Sequence, residues 1–318
     1  MMISPAKINL YLKINNIVRH KKEFSPVAYY HMINSFVFKT NQLYDTVYIE
    51  IPRASDEISC CFTNSIESNN NDLTEILEKD NIAYKAAVML KNYVIYHKIG
   101  NFLEKKKLGA KINIEKKIPI AAGLGGGSSN AASVLLALNK MWDLRLDSNT
   151  LCRIGCNLGY DVPLFIRNEK TMVITGLGNI ISSKHFGTKI FIVLVNPRIK
   201  LNTNIVYDTY DRMILVKDIR SFKSIKKIYQ KYLLTSKSIK VSLKATNDLQ
   251  KVAIKICPKI NELIDFFYTM NGIITSKMSG SGSTCFGLFN TYEEMKTAAE
   301  KIFIQFPLYW IHMEELII

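Results

Sequence analysis

Apolar and polar side chains alternate from Ile3 to Ile14 and again from Thr46 to Ile51. A period of two marks strands with one face in a core. Ser35-Phe36-Val37-Phe38 predicts another strand, and Lys111–Glu115 a further one whose apolar face is Ile112 and Ile114. Arg19–Pro26 is polar and basic and Asn64–Asp72 is rich in Asn and Ser, so both predict loops. From Asn81 to Tyr96 the Ala, Val, Met and Leu residues recur at helical spacing, and Asp147 predicts the N-cap of a helix running through Asn157. Asp161-Val162-Pro163 opens a short segment. Ile190–Val195 is a buried strand by length and apolar content, and Ser221–Leu234 carries a Lys-rich helical pattern that fits a solvated face. Asn247 to Met270 predicts two helical pieces hinged at Pro258, and the strands Ile273–Met278 and Thr284–Phe289 bracket the loop Ser279–Ser283. Strands mixed with helices predict an α+β or mixed α/β class. The pattern divides near residue 165, giving segments 1–165 and 166–318.

Between Pro119 and Leu138 a glycine-serine turn, Gly123-Leu-Gly-Gly-Gly-Ser-Ser129, runs straight into an Ala/Leu-rich helix former. Glycines let backbone N–H groups approach an anion without Cβ atoms in the way. A helix beginning there aims unpaired donors and its positive dipole end at the same spot. Ser128 and Ser129 add hydroxyls. The loop is not a P-loop, which needs Lys after its last glycine where this chain has Ser, and the dinucleotide fingerprint fails because its sixth position is Ser128 or Asn130. Taken alone, such a loop also fits a tight packing turn.

The bulk numbers add limits rather than a site. Hydrophobic residues are 48% and charged residues 22%, which is ordinary globular composition. The net charge of +15 comes from 42 Lys and Arg against 27 Asp and Glu. It suits nucleic acid, an acidic membrane surface or phosphorylated small molecules, and equally a Lys-rich solvated surface. The six cysteines hold no C-x-x-C pair and the five histidines are scattered, so thiols are expected reduced and no metal site is expected. The first residues lack a signal-peptide pattern and the apolar run Ile190–Val195 is too short to span a bilayer. A cytoplasmic protein without membrane attachment is the expectation.

Pro119-x-x-x-Gly123-Leu-Gly-Gly-Gly-Ser-Ser-Asn-Ala-Ala resembles the second signature of the GHMP kinases, the family of galactokinase, homoserine kinase, mevalonate kinase and phosphomevalonate kinase. Its longer form, with three glycines, two serines and Asn130, is similar to the branch whose acceptor is a cytidine-diphosphate-linked polyol of isoprenoid precursor synthesis. Ser4-Pro-Ala-Lys-Ile-Asn-Leu10, Tyr30-His31, Gly159-Tyr-Asp161-Val-Pro163, Asn247-Asp-Leu and Met278–Leu288 resemble the other signatures, in order along the chain. The resemblance implies an α+β, two-lobed fold with an N-terminal lobe like ribosomal protein S5 domain 2 and an active site in the cleft. It implies phosphorylation of the acceptor's 2-hydroxyl by ATP with Mg²⁺.

The same resemblance implies roles. Asp161 is the catalytic base and Lys7 lies near it, stabilising charge on the reacting oxygens. Pro119, Gly123, Leu124, Gly125, Gly126, Gly127, Ser128 and Ser129 hold the nucleotide, and Asn81 touches it. Asn9 bonds the acceptor's hydroxyls. Tyr30 and His31 hold the cytosine ring, with Tyr207 on its other face and Thr203 on the same substrate. Gly280, Ser281 and Gly282 contact substrate through backbone donors near the phosphates. No protein ligand to a metal is identified. Departures from the pattern are Tyr29 where Gly is usual, a lengthened Arg19–Ala28 loop, and Tyr160 before the catalytic Asp. The expected partner is a small molecule rather than nucleic acid or membrane, and the expected state a monomer or weak homodimer. Two alternatives stay open: a GHMP kinase of homoserine, mevalonate or a sugar, and a basic RNA-binding protein without catalysis.

Overall fold

The computed structural model describes residues 1–20, 28–53, 55–63, 78–99, 108–215 and 239–318. The loop expected at Asn64–Asp72, the Lys-rich stretch Ser221–Leu234 and most of the Arg19–Ala28 loop lie outside the described residues. Two compact units interleave along the chain. One comprises Met1–Ala6, Gln42–Ile120 and Gly125–Asn168; the other comprises Lys7–Asn41, Ala121–Leu124 and Glu169–Ile318. Strands β1 (Met2–His20) and β2 (Ala28–Glu50) each contribute residues to both.

Strand β2 joins two stretches that the pattern separates, Ser35–Phe38 and Thr46–Ile51. Residues 39–45 contain neither Gly nor Pro, and the Lys39 amide is held by the Lys170 carbonyl at 2.8 Å, so the chain stays extended through its polar middle.

In the first unit, Thr46–Glu50 of β2 pair antiparallel with β4 (Ala110–Glu115), and β3 (Ile58–Thr63) pairs parallel with β4. Ala110, Ile112 and Ile114 are buried while the residues between them are not, as the alternation predicts. A parallel pair needs a crossover, and α1 (Ile82–Tyr96) lies between these strands in the chain. Its buried residues Ala83, Ala86, Ala87, Leu90 and Val94 follow helical spacing and pack on α2 (Gly126–Met141). Helices α3 (Ser148–Leu158) and α4 (Val162–Ile166) complete the layer. Asp147 caps α3 by accepting from the Thr150 amide at 2.7 Å, as expected.

In the second unit, residues 33–38 of β2 pair antiparallel with β5 (Thr171–Gly176), which pairs with β6 (Ile180–Ser183). A separate antiparallel sheet has the order β10-β7-β9-β8, formed by β7 (Lys189–Asn196), β8 (Ile273–Met278), β9 (Cys285–Phe289) and β10 (Trp310–Ile317). Helices α5 (Thr203–Leu215), α6 (Ile239–Lys244), α7 (Gln250–Ile256), α8 (Lys259–Tyr268) and α9 (Tyr292–Gln305) belong to the same unit. Pro258 is the N-cap of α8, so the predicted hinge is the break between α7 and α8. Val193, Val195, Leu263, Phe267, Phe289 and Ile302 form the middle of its core. No helix among the described residues is long and apolar enough to cross a membrane.

Helix α8 approaches β9 closely because Gly287 has no side chain. A Cβ there would stand 2.5 Å from the Phe267 ring. Gly287→Ala should therefore cost about 1–3 kcal/mol through overpacking, read as a lower urea midpoint.

Lys277 carries a second expectation. Its buried amine donates to the Leu243 carbonyl at 2.7 Å and to the Leu10 carbonyl at 3.1 Å, fastening β8 to β1. Burial, and then the Lys13 charge, push the amine down from its ordinary 10.5 to about 7. Between those values the unfolded chain binds a proton at this site that the folded chain does not, so stability from this group grows with rising pH. Relative to Lys277→Met, the wild type should gain on the order of a few kcal/mol as pH rises from about 7 to about 10. Denaturation curves that keep a constant separation over that range would show the amine to be charged throughout.

Candidate active site

The glycine-serine loop starts where β4 ends. Asp45, fully buried, takes the Lys116 amine and the amides of Lys117 at 2.8 Å and Ile118 at 2.9 Å. One carboxylate thus fixes the chain just before Pro119. The start of α2 is then set by Gly125, whose φ of 69° is left-handed backbone that only glycine adopts cheaply. As N-cap it offers no side chain to the first-turn amides, and no acidic residue stands in that turn. Gly126 packs so tightly that a Cβ would sit 3.0 Å from Ile118 Cγ2 and 3.2 Å from the Lys116 amine. A cation therefore lies at the positive end of the helix.

Gly127 is exposed and Ser128 half-buried, while Ser129 and Asn130 are buried. Ser129 Oγ and Asn130 Oδ1 have no hydrogen-bond partner among the described residues. The uncapped first-turn amides, the Ser129 hydroxyl and an adjacent ammonium are donors that fit a polyphosphate, while the Asn130 amide oxygen can only accept and suits a donor or a cation. A magnesium ion brought in with the phosphates needs only one or two protein oxygens, and the two serines can supply them. No group of three His, Cys, Asp or Glu able to hold a metal occurs among the described residues.

The first unit also holds two other predicted residues. Asp161 is half-buried at the start of α4 and makes no side-chain cap hydrogen bond to that helix. Asn81 does serve as a cap. Its Oδ1 accepts from the Ala83 amide at 3.0 Å and its Nδ2 donates to Cys60 Sγ at 3.2 Å, which makes it the N-cap of α1. The expected nucleotide contact of Asn81 gains no support from this geometry.

In the second unit, Lys7 and Asn9 lie on one face of β1, as their spacing predicts. Lys7 Nζ donates to Asn9 Oδ1 at 2.5 Å, Asn9 Nδ2 donates to Ser35 Oγ at 2.8 Å, and Ser35 Oγ donates to the Tyr11 carbonyl at 2.5 Å. This chain fixes which end of the Asn9 amide faces the lysine. Both side chains are buried, at 5% and 4% exposure.

The loop Ser279–Ser283 turns back onto them. A Cβ on Gly280 would meet the Gly123 carbonyl at 2.7 Å and the Lys7 amine at 3.1 Å. One on Gly123 would come within 2.3 Å of the Ser279 carbonyl. Gly123, Leu124 and the second loop therefore touch backbone to backbone, and the Leu124 carbonyl accepts from the Lys7 amide at 2.8 Å. Asn247 holds the loop from behind, its Nδ2 donating to the carbonyls of Met278 at 2.9 Å and Gly280 at 2.7 Å. Ser281 Oγ lies 2.9 Å from Thr203 Oγ1.

His31 and Tyr207, expected around a base, are brought together with ring centroids 4.6 Å apart. Asp211, whose Oδ1 is 2.6 Å from His31 Nε2, lies in none of the motifs. Its position four residues after Tyr207 on α5 was the available signal. Asp45, Lys116 and Ser35 were missed too, since each acts through contacts remote in sequence. The side chain of Tyr30 lies outside the described residues.

Known proteins resemble this chain in sequence and in fold. Residues 81–169 match the model of the GHMP kinases N terminal domain and residues 233–308 that of the GHMP kinases C terminal. The chain is 37% identical over 298 residues to the 4-diphosphocytidyl-2-C-methyl-D-erythritol kinase of Clostridioides difficile (strain 630), covering 92% of this chain and 87% of that protein. It is 32% identical over 305 residues to the protein of the same name from Prochlorococcus marinus (strain MIT 9515), covering 94% and 88%. A crystal structure of 4-(cytidine 5'-diphospho)-2C-methyl-D-erythritol kinase shares the fold at TM-score 0.62 and 24% identity, covering 98% of each chain. The chain belongs to the GHMP kinase family and is a small-molecule kinase.

Proposed function

We propose that this chain transfers the γ-phosphate of ATP to the 2-hydroxyl of 4-diphosphocytidyl-2-C-methyl-D-erythritol, a step of non-mevalonate isoprenoid precursor biosynthesis in the cytoplasm. The observation that carries this reading is similarity of 30–37% identity to kinases of that name along nearly the whole chain. The uncapped, cation-flanked start of α2 supports the nucleotide half of it.

Phosphoryl transfer asks a protein mainly for positioning and charge stabilisation. The amides of Gly125–Ser128, the Ser129 hydroxyl and the Lys116 amine hold the phosphates. Ser128 and Ser129 would be the protein oxygens for a Mg²⁺ ion carried with ATP, which would supply charge to offset the phosphates. The 2-hydroxyl oxygen forms the new bond to phosphorus as the bond to the β-phosphate oxygen breaks, and Asp161 takes the hydroxyl proton. Lys7 stabilises negative charge on the transferring oxygens, its amine aimed by Asn9. Gly280, Ser281 and Gly282 contribute backbone donors. The cytosine ring rests among Tyr30, His31 and Tyr207, with Thr203 at the same substrate.

The test is ADP release by the purified protein with Mg-ATP, with and without the cytidine-linked acceptor. Release should require the acceptor. Asp161→Ala should lower kcat by about 10²–10⁴, and Lys7→Ala by about 10²–10³. Folded protein that binds ATP but releases no acceptor-dependent ADP would contradict the substrate and turn attention to homoserine, mevalonate or sugars.

A further inference from the structure

Three side chains of α5 converge on one imidazole. Tyr207, Tyr210 and Asp211 are spaced i, i+3 and i+4, so they share a helix face. The Tyr207 ring lies 4.6 Å from the His31 ring, the Tyr210 ring lies 6.1 Å away nearly edge-on, and Asp211 Oδ1 is 2.6 Å from Nε2. The His31 and Asp211 side chains are only 10% and 16% exposed. The contact is thus a fixed element of the site rather than a passing surface pair.

An ionised carboxylate only accepts, so Nε2 must carry the hydrogen. In the neutral ring the other nitrogen, Nδ1, then bears the lone pair. Nδ1 makes no hydrogen bond among the described residues. The two tyrosines confine the ring in place. The outcome is a single hydrogen-bond acceptor of fixed identity beside aromatic faces.

We infer that Asp211 is the positioning residue that makes this site prefer cytosine over uracil, by holding His31 in the tautomer whose Nδ1 accepts from the exocyclic amine of the base. Cytosine carries a donor amine at its position 4, whereas uracil carries an acceptor carbonyl there. Against Nδ1 the first forms a hydrogen bond, and the second sets two lone pairs face to face. A site built to receive a donor rejects the analogue lacking it, because its own acceptor is left unpaired. This inference rests on the substrate proposed above.

The test has two arms, so that failure of the substrate reading is separable from failure of the inference. The first needs no substrate: ring-nitrogen correlation spectra of ¹⁵N-labelled protein, with His31 assigned through His31→Gln. They should show Nε2 protonated and Nδ1 bare in the wild type, and loss of that fixed state in Asp211→Ala. The second compares kcat/KM for the cytidine-linked acceptor and its uridine counterpart, repeated as calorimetric binding of CDP and UDP. The wild type should prefer the cytidine form, and Asp211→Ala should reduce that ratio about tenfold or more, with a smaller change in kcat for the cytidine form. Asp211→Ser serves if circular dichroism shows the alanine variant unfolded. A proton on Nδ1 in the wild type would overturn the inference, and so would an unchanged base preference without Asp211. Absence of turnover together with an Asp211-dependent preference for CDP would instead overturn only the proposed acceptor.

Discussion

A helix start without a cap is the constraint around which this molecule is organised. The first amides of any helix need acceptors, and most chains supply a Ser, Thr, Asp or Asn side chain for the purpose. Here α2 begins at Gly125 with no capping side chain and no acid in its first turn. Two oxygens just inside, on Ser129 and Asn130, are buried without partners among the described residues. Leaving such groups unmet costs about 1–3 kcal/mol each. The Lys116 amine, held by the buried Asp45, stands beside the same turn. The first-turn amides and the Ser129 hydroxyl are donors that a polyphosphate could accept from, whereas the Asn130 amide oxygen can only accept. On the function proposed above, local stability is traded for anion affinity.

The second glycine loop follows a related logic of close approach. Gly123 and Gly280 each stand where a Cβ would collide with the other's backbone neighbourhood, which allows main chain to pack on main chain beside Lys7. Flexible glycines alone would leave the loop mobile. Asn247 restrains it by holding two of its carbonyls, and Lys277 fastens the strand that enters it. Conformational freedom supplies the shape, and buried polar side chains fix it.

What the sequence discloses follows from what is local. Alternation at Ile112 and Ile114, the cap at Asp147, the break at Pro258 and both glycine loops are visible because neighbours along the chain determine them. Strands β5 and β6, helix α9 and edge strand β10 were not anticipated. The strand residues mix polar and apolar side chains over short spans, and pairing partners such as residues 33–38 of β2 for β5 or β7 for β10 are far away in sequence. Helix α9, by contrast, does carry a local signal, the capping box of Thr291 and Glu294. The site divides in the same way. Lys7, Asn9, the two loops and Asp161 stand in motifs that single them out as candidates. Asp45, Asp211 and Ser35 act through hydrogen bonds across 24 to 180 positions, which no spacing rule reveals. Asn81 shows the converse: its motif suggested a ligand contact, while its amide is engaged as a helix cap.

The most direct measurement of the central claim is calorimetric binding of a non-hydrolysable ATP analogue and of adenosine to the wild type and to Ser128→Asp. If the open start of α2 is a phosphate site, the analogue should bind at least about a hundredfold more tightly than adenosine in the wild type. A carboxylate placed in the first turn should remove most of that advantage while leaving adenosine binding nearly unchanged. Equal affinity for the two ligands in the wild type, or an advantage untouched by the new carboxylate, would contradict the account.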